Sequence, residues 1–584
     1  MKTLLAAVNA KFIHSNPAVR CLKEYALAHH TAEIGEIEIE EFTINQQVEY
    51  ILSKIIRHKP DVIGLSCYIW NYEYMKKISG SLRRILPEAI IVIGGPQVSY
   101  HCEKALAECH ANYCISGEGE LIFMNLLQDI AAGNPPKDAV LGHGYSNDTV
   151  ALGDIPFIYH DMREYQNRIV YYESSRGCPF RCSYCLSSIK GNDAPVRYLP
   201  MERVKSDLDF FLANKVRQVK FVDRTFNCDK ARALEMIEYI KAHDNGITNF
   251  HFEVAAELLD DALIISLQTA RFELFQLEIG VQSTNPPTLR AIRRFTAPDK
   301  LRNIITRLQK NQNIHLHLDL IAGLPHESIS KFAESFNFVY SLKPQQFQLG
   351  FLKVLAGSEM ERMAEQYGIV YTDYPPYEVL FTNDLPYAQV QRLKAVEQVL
   401  ELYYNSGRFL YTMAFLEQFF ARKHQTAFEL YDSLGQFYLS QGYADSSQSL
   451  STLYDILHQF LLTYDAAEEE LAWFADCVRY DICLHEKPKK VPDWLQTTLS
   501  REQQEQFLQL LDAADFRKQQ FGGTPYESMD RKQLARLFEL QYFVRDLRTG
   551  TPVPEYACFF HYRHTDLYGS AQVIVLPADK EKLS

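Results

Sequence analysis

Short apolar segments alternate with amphipathic segments along the first 135 residues of the chain. The apolar segments KTLLAAV, EIEIEEF, DVIGLSCYI, AIIVIGG and YCIS have the composition of strands, and segments such as QVEYILSKIIRH between them have helical periodicity. Parallel strands need a crossover connection, so this alternation predicts a parallel sheet with helices on both faces. Residues 1–135 are therefore expected to form a doubly wound α/β domain.

A second alternation begins after a weakly periodic segment, 136–165, which is predicted to be a linker. Six strand segments within 166–365, from RIVYYESSRG to QFQLGFLKV, predict a partial or full (β/α) barrel with active-site loops after its strands. From 366 to 584 the pattern changes to amphipathic helices, followed by one strand-like segment, YACFFHYRH. We expect a mainly helical domain there, with Cys477, Cys483 and the aromatic stripes packed between helices.

The composition is typical of a globular protein with several domains, since 584 residues exceed the size of one domain. Twelve cysteines form no regular disulfide framework, which indicates a reducing compartment, and we expect a cytoplasmic monomer. No apolar run approaches the roughly 18 residues needed to span a bilayer, so no membrane partner is expected. The net charge of -13 argues against a general nucleic-acid binder but leaves room for a local basic channel.

Open parallel sheets bind ligands beyond the carboxyl ends of their strands. At those ends of the N-terminal domain, Gly94 and Gly95 have no side chain, so the backbone there can approach a large flat ligand closely. The alternative is that these glycines only turn the chain after a strand. The candidate binding residues at these ends are Asn9, Lys11, His14, Ser66, Tyr68, Trp70, Asn71, Gly94, Gly95, Pro96, Gly117 and Glu118.

The loop after the first barrel strand, ESSRGCPFRCSYCLSS, contains Cys178, Cys182 and Cys185 in a CxxxCxxC pattern. A 4Fe-4S cluster usually takes four cysteine ligands, so three thiolates on one loop leave one iron able to bind another group. Taken alone, the loop could also be a zinc knuckle or a chance spacing.

This cysteine pattern, with Tyr184 before its third cysteine, resembles the radical S-adenosylmethionine (radical SAM) superfamily. The resemblance implies that the three cysteines hold a catalytic 4Fe-4S cluster and that SAM binds its open iron, with Tyr184 near the adenine. It also implies that reductive cleavage of SAM gives a 5'-deoxyadenosyl radical, with electrons from an external donor such as flavodoxin or ferredoxin.

Further motifs of the superfamily follow in the expected order, in the segments FVDRTFN, FHFEVAAELLD, EIGVQSTNPPTLRAIRR and DLIAGLPHE. Gln282 replaces the usual acid but can still pair with ribose hydroxyls, and Arg294 is either a partner of the SAM carboxylate or a solvated helix charge. His315 and His317 are predicted to be interior or hydrogen-bonded histidines and not ligands. The SAM-binding residues that the resemblance implies are Tyr184, Asp223, Glu253, Glu257, Gln282, Ser283, Arg294, Gly323 and Pro325.

A sheet domain with a Gly-Gly loop directly before such a barrel resembles the Rossmann- or flavodoxin-like domain of cobalamin-dependent radical SAM enzymes. The usual Asp-x-His-x-x-Gly motif after the first strand is replaced by NAKFIHS, so His14 is a poor candidate for a cobalt ligand. The resemblance implies base-off cobalamin, with Tyr68 and Trp70 against its lower face. A domain that has kept the fold and lost cobalamin is the alternative.

The resemblance implies an enzyme in which the radical abstracts hydrogen from an unactivated carbon of an unknown substrate and methylcobalamin then donates a methyl group. A second hypothesis keeps these cofactors but performs cyclisation, ring contraction, rearrangement or oxidation. A third, from another class, is an iron-sulfur redox sensor with a helical partner-binding domain. The C-terminal helices, after PPYEVL, resemble an uncharacterised domain of one subgroup of these proteins.

Overall fold

The structure is a computed structural model that describes residues 1–142, 144–145, 150–188, 195–294, 297–485, 491–495, 499–510, 512–521, 526–565 and 571–577. It divides into two compact units. The first contains Met1–Pro344 and Gln348–Val390, and the second contains Gln345–Phe347 and Gln391–Ser584. In the described residues, no helix has both the length and the apolar character needed to cross a membrane.

The N-terminal part of the first unit is a parallel sheet with the predicted alternation of strands and helices. Its strands are β1 (Lys2–Asn9), β2 (Glu36–Thr43), β3 (Val62–Ser66), β4 (Ile90–Gly94), β5 (Tyr113–Ile115) and β6 (Val140–Leu141). Its helices are α1 (Pro17–His29), α2 (Val48–Arg57), α3 (Tyr72–Ile85), α4 (Cys102–Cys109) and α5 (Glu120–Ala131). The strand order is β2-β1-β3-β4-β5-β6, so the predicted linker contributes the edge strand. The sequence did not predict β6, because a strand of two residues is too short to show a periodic pattern.

A second sheet forms the predicted barrel, and it is an open, partial one. Its strands lie in the order β14-β13-β12-β11-β10-β7, and the pairs from β7 to β13 are parallel. The strands of this region are β7 (Val170–Tyr172), β8 (Ser175–Arg176), β9 (Arg197–Tyr198), β10 (Gln218–Phe221), β11 (Asn249–Glu253), β12 (Phe275–Gln282), β13 (His315–Ala322) and β14 (Gln346–Phe351). The helices are α6 (Met201–Ala213), α7 (Lys230–Ala242), α8 (Asp261–Gln268), α9 (Pro286–Ala291), α10 (Pro298–Leu308), α11 (Ile329–Ser341) and α12 (Glu359–Met363).

The C-terminal region is mainly helical, but it contains more strands than the sequence predicted. A hairpin of β15 (Val370–Tyr371) and β16 (Val379–Phe381) precedes the helices, and an antiparallel sheet of β17 (Phe538–Arg545), β18 (Pro552–Thr565) and β19 (Ala571–Pro577) follows them. The predicted strand YACFFHYRH lies in β18. The helices are α13 (Tyr387–Leu400), α14 (Leu410–Arg422), α15 (Ala427–Ser440), α16 (Leu450–Leu462), α17 (Glu468–His485), α18 (Arg501–Leu510), α19 (Ala514–Phe521) and α20 (Arg531–Leu537).

The second unit has an aromatic core. Tyr403, Tyr431 and Tyr438 are each no more than 1 % exposed, and the hydroxyls of Tyr403 and Tyr438 form a hydrogen bond. Cys477 and Cys483 are buried as well. These residues therefore pack inside the unit, as the amphipathic pattern indicated.

Candidate active site

A cavity of about 700 Å³ lies in the first unit, where the carboxyl ends of the N-terminal strands face the start of the barrel. Seven of the twelve candidate residues at those strand ends line it, namely Ser66, Tyr68, Gly94, Gly95, Pro96, Gly117 and Glu118. The opposite wall comes from the cysteine loop, in Ser175, Arg176, Gly177 and Cys178. The two predicted binding regions therefore border one space.

Two glycines shape the sheet side of this cavity. Gly95 has a φ of +116°, and a Cβ there would lie 2.6 Å from the carbonyl oxygen of Cys67, so the loop requires glycine. Gly117 has a φ of +88°, and a Cβ there would have no heavy atom within 4 Å, so this glycine keeps its side of the cavity open. Such a backbone-lined, open wall fits a large flat ligand such as a corrin ring.

Tyr68 lines the cavity on a loop that Trp70 and Asn71 hold in place. The rings of Tyr68 and Trp70 stack with centroids 4.3 Å apart. Asn71 is fully buried, and its Nδ2 donates to the carbonyl oxygens of Val8 and Ser66, at 3.0 and 2.9 Å. In this structure Asn71 therefore positions the loop through the backbone instead of facing the cavity.

The candidates after β1 have partners of their own. Asn9 Nδ2 donates to Glu41 Oε2 at 2.8 Å, and Lys11 is exposed. His14 Nδ1 lies 2.6 Å from the hydroxyl of Tyr171, and burial lowers the pKa of His14. The structure thus places the His14 ring against Tyr171 of a barrel strand.

The cysteine loop is held by contacts on both sides of the cysteines. Cys178 Sγ lies 3.5 Å from Thr225 Oγ1, and Cys182 is buried with its Sγ 3.9 Å from Nη1 of Arg294. The backbone N–H of Cys185 donates to the Cys182 carbonyl at 3.1 Å, which forms a tight turn around Tyr184. Three thiol groups on a fixed loop are a suitable donor set for an iron-sulfur cluster.

Asp223 anchors the beginning of that loop. It is buried, and its carboxylate accepts hydrogen bonds from the backbone N–H groups of Ser174 and Ser175, at 2.7 and 3.1 Å, and from both serine hydroxyls. Burial raises the pKa of Asp223 to about 6 although these hydrogen bonds favour its charged form. All these contacts are with the loop, so Asp223 is a positioning residue in this structure.

Three buried polar atoms have no hydrogen-bond partner, namely Gln282 Oε1, Arg294 Nε and Glu257 Oε2. Gln282 and Arg294 lie beside Gly280, where a Cβ would be 2.2 Å from Gln282 Nε2 and 3.5 Å from Arg294 Nη2. Arg294 Nη2 also donates to the Gly280 carbonyl, so Arg294 is a partly buried residue and not a solvated helix charge. Unsatisfied buried polar groups beside Cys182 fit a polar cofactor such as SAM.

The remaining predicted SAM contacts lie at the ends of β11, β12 and β13. Ser283 donates to Glu327, a buried carboxyl whose pKa burial raises to about 8. Burial and the nearby Glu278 raise the pKa of Glu253 to about 7. Gly323 has a φ of +86° under Val379, and Pro325 follows it in a buried turn.

Two residues of this region were missed by the sequence analysis. Arg176 bridges to three carboxylates around the cavity, and Glu327 contacts Ser283. Both lie inside segments in which the sequence motifs indicated other residues, namely ESSRGCPFRC and DLIAGLPHE. The available signal was a charged residue at a strand end for Arg176 and a charged residue in the loop after β13 for Glu327.

In a comparison with known families, residues 4–127 match a B12 binding domain and residues 172–339 match the radical SAM superfamily. Residues 365–555 match a protein family of unknown function, DUF4080. The chain is 26 % identical over 343 residues to the cobalamin-dependent radical SAM methyltransferase TokK of Streptomyces tokunonensis, covering 53 % of this chain and 50 % of that protein. It is 24 % identical over 318 residues to 2-(S-pantetheinyl)-carbapenam-3-carboxylate methyltransferase of Streptantibioticus cattleyicolor, covering 47 % and 44 %. The chain thus spans about half the length of these curated relatives.

Two solved structures share the fold. The cobalamin-dependent S-adenosylmethionine radical enzyme OxsB, with aqua-cobalamin and S-adenosylmethionine bound, matches with a TM-score of 0.57 at 13 % identity, over 82 % of this chain and 83 % of that chain. The radical S-adenosylmethionine methyltransferase TsrM of Kitasatospora setae, with cobalamin and a [4Fe-4S] cluster bound, matches with a TM-score of 0.51 at 16 % identity, over 64 % and 78 %. A B12 binding domain and a radical SAM domain occur together here in one compact unit. The chain therefore combines a B12 binding domain with a radical SAM superfamily domain, and it is similar to cobalamin-dependent radical SAM enzymes.

Proposed function

We propose that this protein transfers a methyl group to an unactivated carbon of its substrate. The observation that carries the proposal is the shared cavity, which Cys178 borders on one side and Gly94, Gly95 and Gly117 border on the other. When bound, a 4Fe-4S cluster and SAM supply a 5'-deoxyadenosyl radical, and cobalamin supplies a transferable methyl group. Both curated relatives named above are methyltransferases, which supports this choice of reaction.

Each cofactor is assigned to residues of the first unit. The cluster is held by Cys178, Cys182 and Cys185. SAM is bound by polar atoms that have no hydrogen-bond partner within the protein, those of Gln282, Arg294 and Glu257. Residues 1–135 form the cobalamin domain, 166–365 the barrel and 366–584 the C-terminal domain. The further SAM contacts are Tyr184, Glu253, Ser283, Gly323 and Pro325, and the cobalamin contacts are Ser66, Tyr68, Gly94, Gly95, Pro96, Gly117 and Glu118.

The reaction requires a substrate and a reductant. We assign the reductant's role to a small electron-transfer protein such as flavodoxin or ferredoxin, and we place the enzyme, as a monomer, in the cytoplasm. A chain with twelve cysteines and no regular disulfide framework is typical of a reducing compartment.

The test is an anaerobic assay of the full chain reconstituted with iron, sulfide and cobalamin, in which 5'-deoxyadenosine and S-adenosylhomocysteine are quantified after reduction and addition of SAM. Formation of both products with a shift of the cobalamin spectrum supports methyl transfer. Formation of 5'-deoxyadenosine alone, with cobalamin bound, favours cyclisation, ring contraction, rearrangement or oxidation. An intact cluster that yields neither product favours the redox sensor.

Cys182→Ala is expected to abolish the cluster and SAM cleavage together. Cys228→Ala is the matched control, because Cys228 is a half-buried free cysteine outside the CxxxCxxC pattern whose Sγ lies 3.3 Å from the Tyr198 hydroxyl. Normal SAM cleavage by Cys182→Ala would refute the assignment of the loop.

A further inference from the structure

The barrel sheet has one apolar face and one polar face. Along β11, β12 and β13 the apolar residues alternate with polar ones, so successive side chains point to opposite faces. The apolar set includes Phe250, Leu277 and Leu316, each no more than 1 % exposed. We define the polar cluster on the other face as His251, Glu278, His317, Asp319 and Gln348.

Strand register brings this polar cluster together. Glu278 on β12 pairs directly with His317 on β13, and Asp319 follows two residues later on the same face. One ligand atom each from Glu278, His317 and Asp319 lies within 4.8 Å of the others. Two more donors adjoin these three, because His251 Nε2 is 3.1 Å from Glu278 Oε2 and Gln348 Oε1 is 3.0 Å from His317 Nε2.

Two atoms of the cluster have a close neighbour but no hydrogen bond of good geometry. His251 Nε2 approaches Glu278, and Asp319 Oδ1 lies 3.0 Å from His317 Nε2, yet neither His251 Nε2 nor Asp319 Oδ1 has a hydrogen-bond partner. His251 is only 6 % exposed, so water does not readily satisfy it. Two ligands of one ion, each about 2.0–2.2 Å from it, lie roughly 3 Å apart, which is the separation of these nitrogen and oxygen atoms.

We propose that the polar cluster binds one divalent transition-metal ion of the Zn²⁺ or Fe²⁺ class, at a site separate from the iron-sulfur cluster. Imidazole nitrogen and carboxylate oxygen are the donors that such ions take in proteins. The proposal changes the role of His317 from the interior histidine that the sequence predicted to a ligand. The proposed site is next to the residues assigned to SAM, because its ligand Glu278 lies two residues before Gly280 on β12.

Lys220 is the competing occupant. Its Nζ lies 3.1 Å from Glu278 Oε2, so an ammonium group already compensates one carboxylate of the cluster. If the cluster is complete with this ammonium, it needs no metal. The experiment must therefore distinguish a metal ion from the lysine charge.

The test uses the full chain with Cys178→Ser, Cys182→Ser and Cys185→Ser, so that no iron-sulfur cluster contributes metal and the result is independent of methyl transfer. We expect about one equivalent of Zn²⁺ to remain after dialysis, by elemental analysis. Co²⁺ in its place should give ligand-field absorption without thiolate charge-transfer bands, which excludes binding by the other cysteines. Retention of no Zn²⁺ would overturn the proposal.

Variants in the same background identify the ligands. His317→Ala and Asp319→Asn should each weaken Zn²⁺ binding by more than about 100-fold, since even changes outside the ligand shell cost about 10–100-fold. The matched control is His315→Ala, which removes a histidine two residues earlier on the same strand and face and should retain the ion. Circular dichroism checks that each variant is folded, and the Co²⁺ spectrum of the parent decides the question if His317→Ala is not. Binding that appears only after Lys220→Met would show that the ammonium is the occupant and would refute the proposal.

Discussion

Arg176 on the cysteine loop donates from Nη1 to Oε2 of Glu118, which follows the fifth strand of the N-terminal sheet, at a distance of 3.1 Å. Its Nη2 also binds Glu120 at 2.9 Å and Glu173 at 2.7 Å, and only 19 % of the Arg176 side chain is exposed. Arg176 and Glu118 both line the cavity. This ion pair therefore ties the cluster loop to the wall assigned to cobalamin.

Arg176→Met should weaken both the fold and cobalamin retention, because it leaves three carboxylates without their common partner. We expect a loss of about 3 kcal/mol in the free energy of unfolding, measured by urea denaturation, and less cobalamin per chain after gel filtration. Arg163→Met is the control, since its ion pair with Asp161 has 86 % of the arginine side chain exposed, and we expect no change. Unaltered cobalamin retention by Arg176→Met would contradict the role given to this pair.

Gly117→Ala should reduce cobalamin binding more than it reduces stability. The strain of a left-handed backbone costs about 1–2 kcal/mol, and the new methyl group enters the cavity. Gly133→Ala carries the same kind of strain, with a φ of +75° and no heavy atom within 4 Å of a Cβ, but at the end of α5 instead of the cavity wall. Equal cobalamin binding by the two variants, measured by absorbance titration, would show that Gly117 does not border the ligand.

Asp223→Ala should loosen the cysteine loop, because four donors of Ser174 and Ser175 lose their acceptor. The expected cost is about 2–3 kcal/mol in unfolding free energy, together with less iron per chain after reconstitution. Asp209→Ala removes an exposed carboxylate that accepts from Tyr239 and should leave the iron content unchanged. A full complement of iron in Asp223→Ala would mean that the loop does not depend on this anchor.

Glu327 should make the stability of the apoprotein fall as pH rises. Its folded pKa of about 8 lies above the ordinary value of 4.5, so between these pH values the unfolded chain has released a proton that the folded chain retains. Because the unfolded state binds fewer protons in this window, the free energy of unfolding falls as pH rises. The total fall is about 1.4 kcal/mol for each unit by which the pKa of Glu327 in the folded state exceeds its pKa in the unfolded state.

Glu327→Gln mimics the protonated carboxyl and should remove this dependence. Urea midpoints at pH 5 and pH 8.5 are compared for the two proteins. We expect the variant to be the more stable of the two at pH 8.5 and to differ little at pH 5. Parallel pH profiles for the wild-type protein and the variant would rule out a raised pKa at Glu327.

Local patterns in the sequence predicted the main architecture of this protein. Strand and helix periodicity, which depends on near neighbours, indicated the parallel sheet, the barrel and the helical region. Six strands escaped prediction: β6, β9, β15 and β16 are only two or three residues long, β17 follows a helical pattern directly, and β19 lies beyond the last predicted strand. The CxxxCxxC spacing is also local, so the cluster loop could be read from the sequence.

Contacts between distant residues were decided by the tertiary structure alone. A family motif indicated Asp223 and the position after a strand indicated Tyr68, but only the fold shows that Asp223 faces the serines of the loop while Tyr68 faces the cavity. Arg176 and Glu118 are 58 residues apart, and His251 and His317 meet only through the order and register of β11, β12 and β13. The sequence by itself determined which residue types stand at the strand ends, whereas the packing of one sheet against the other decided which of them share a site, because neighbours in space across a sheet leave no periodic signal along the chain.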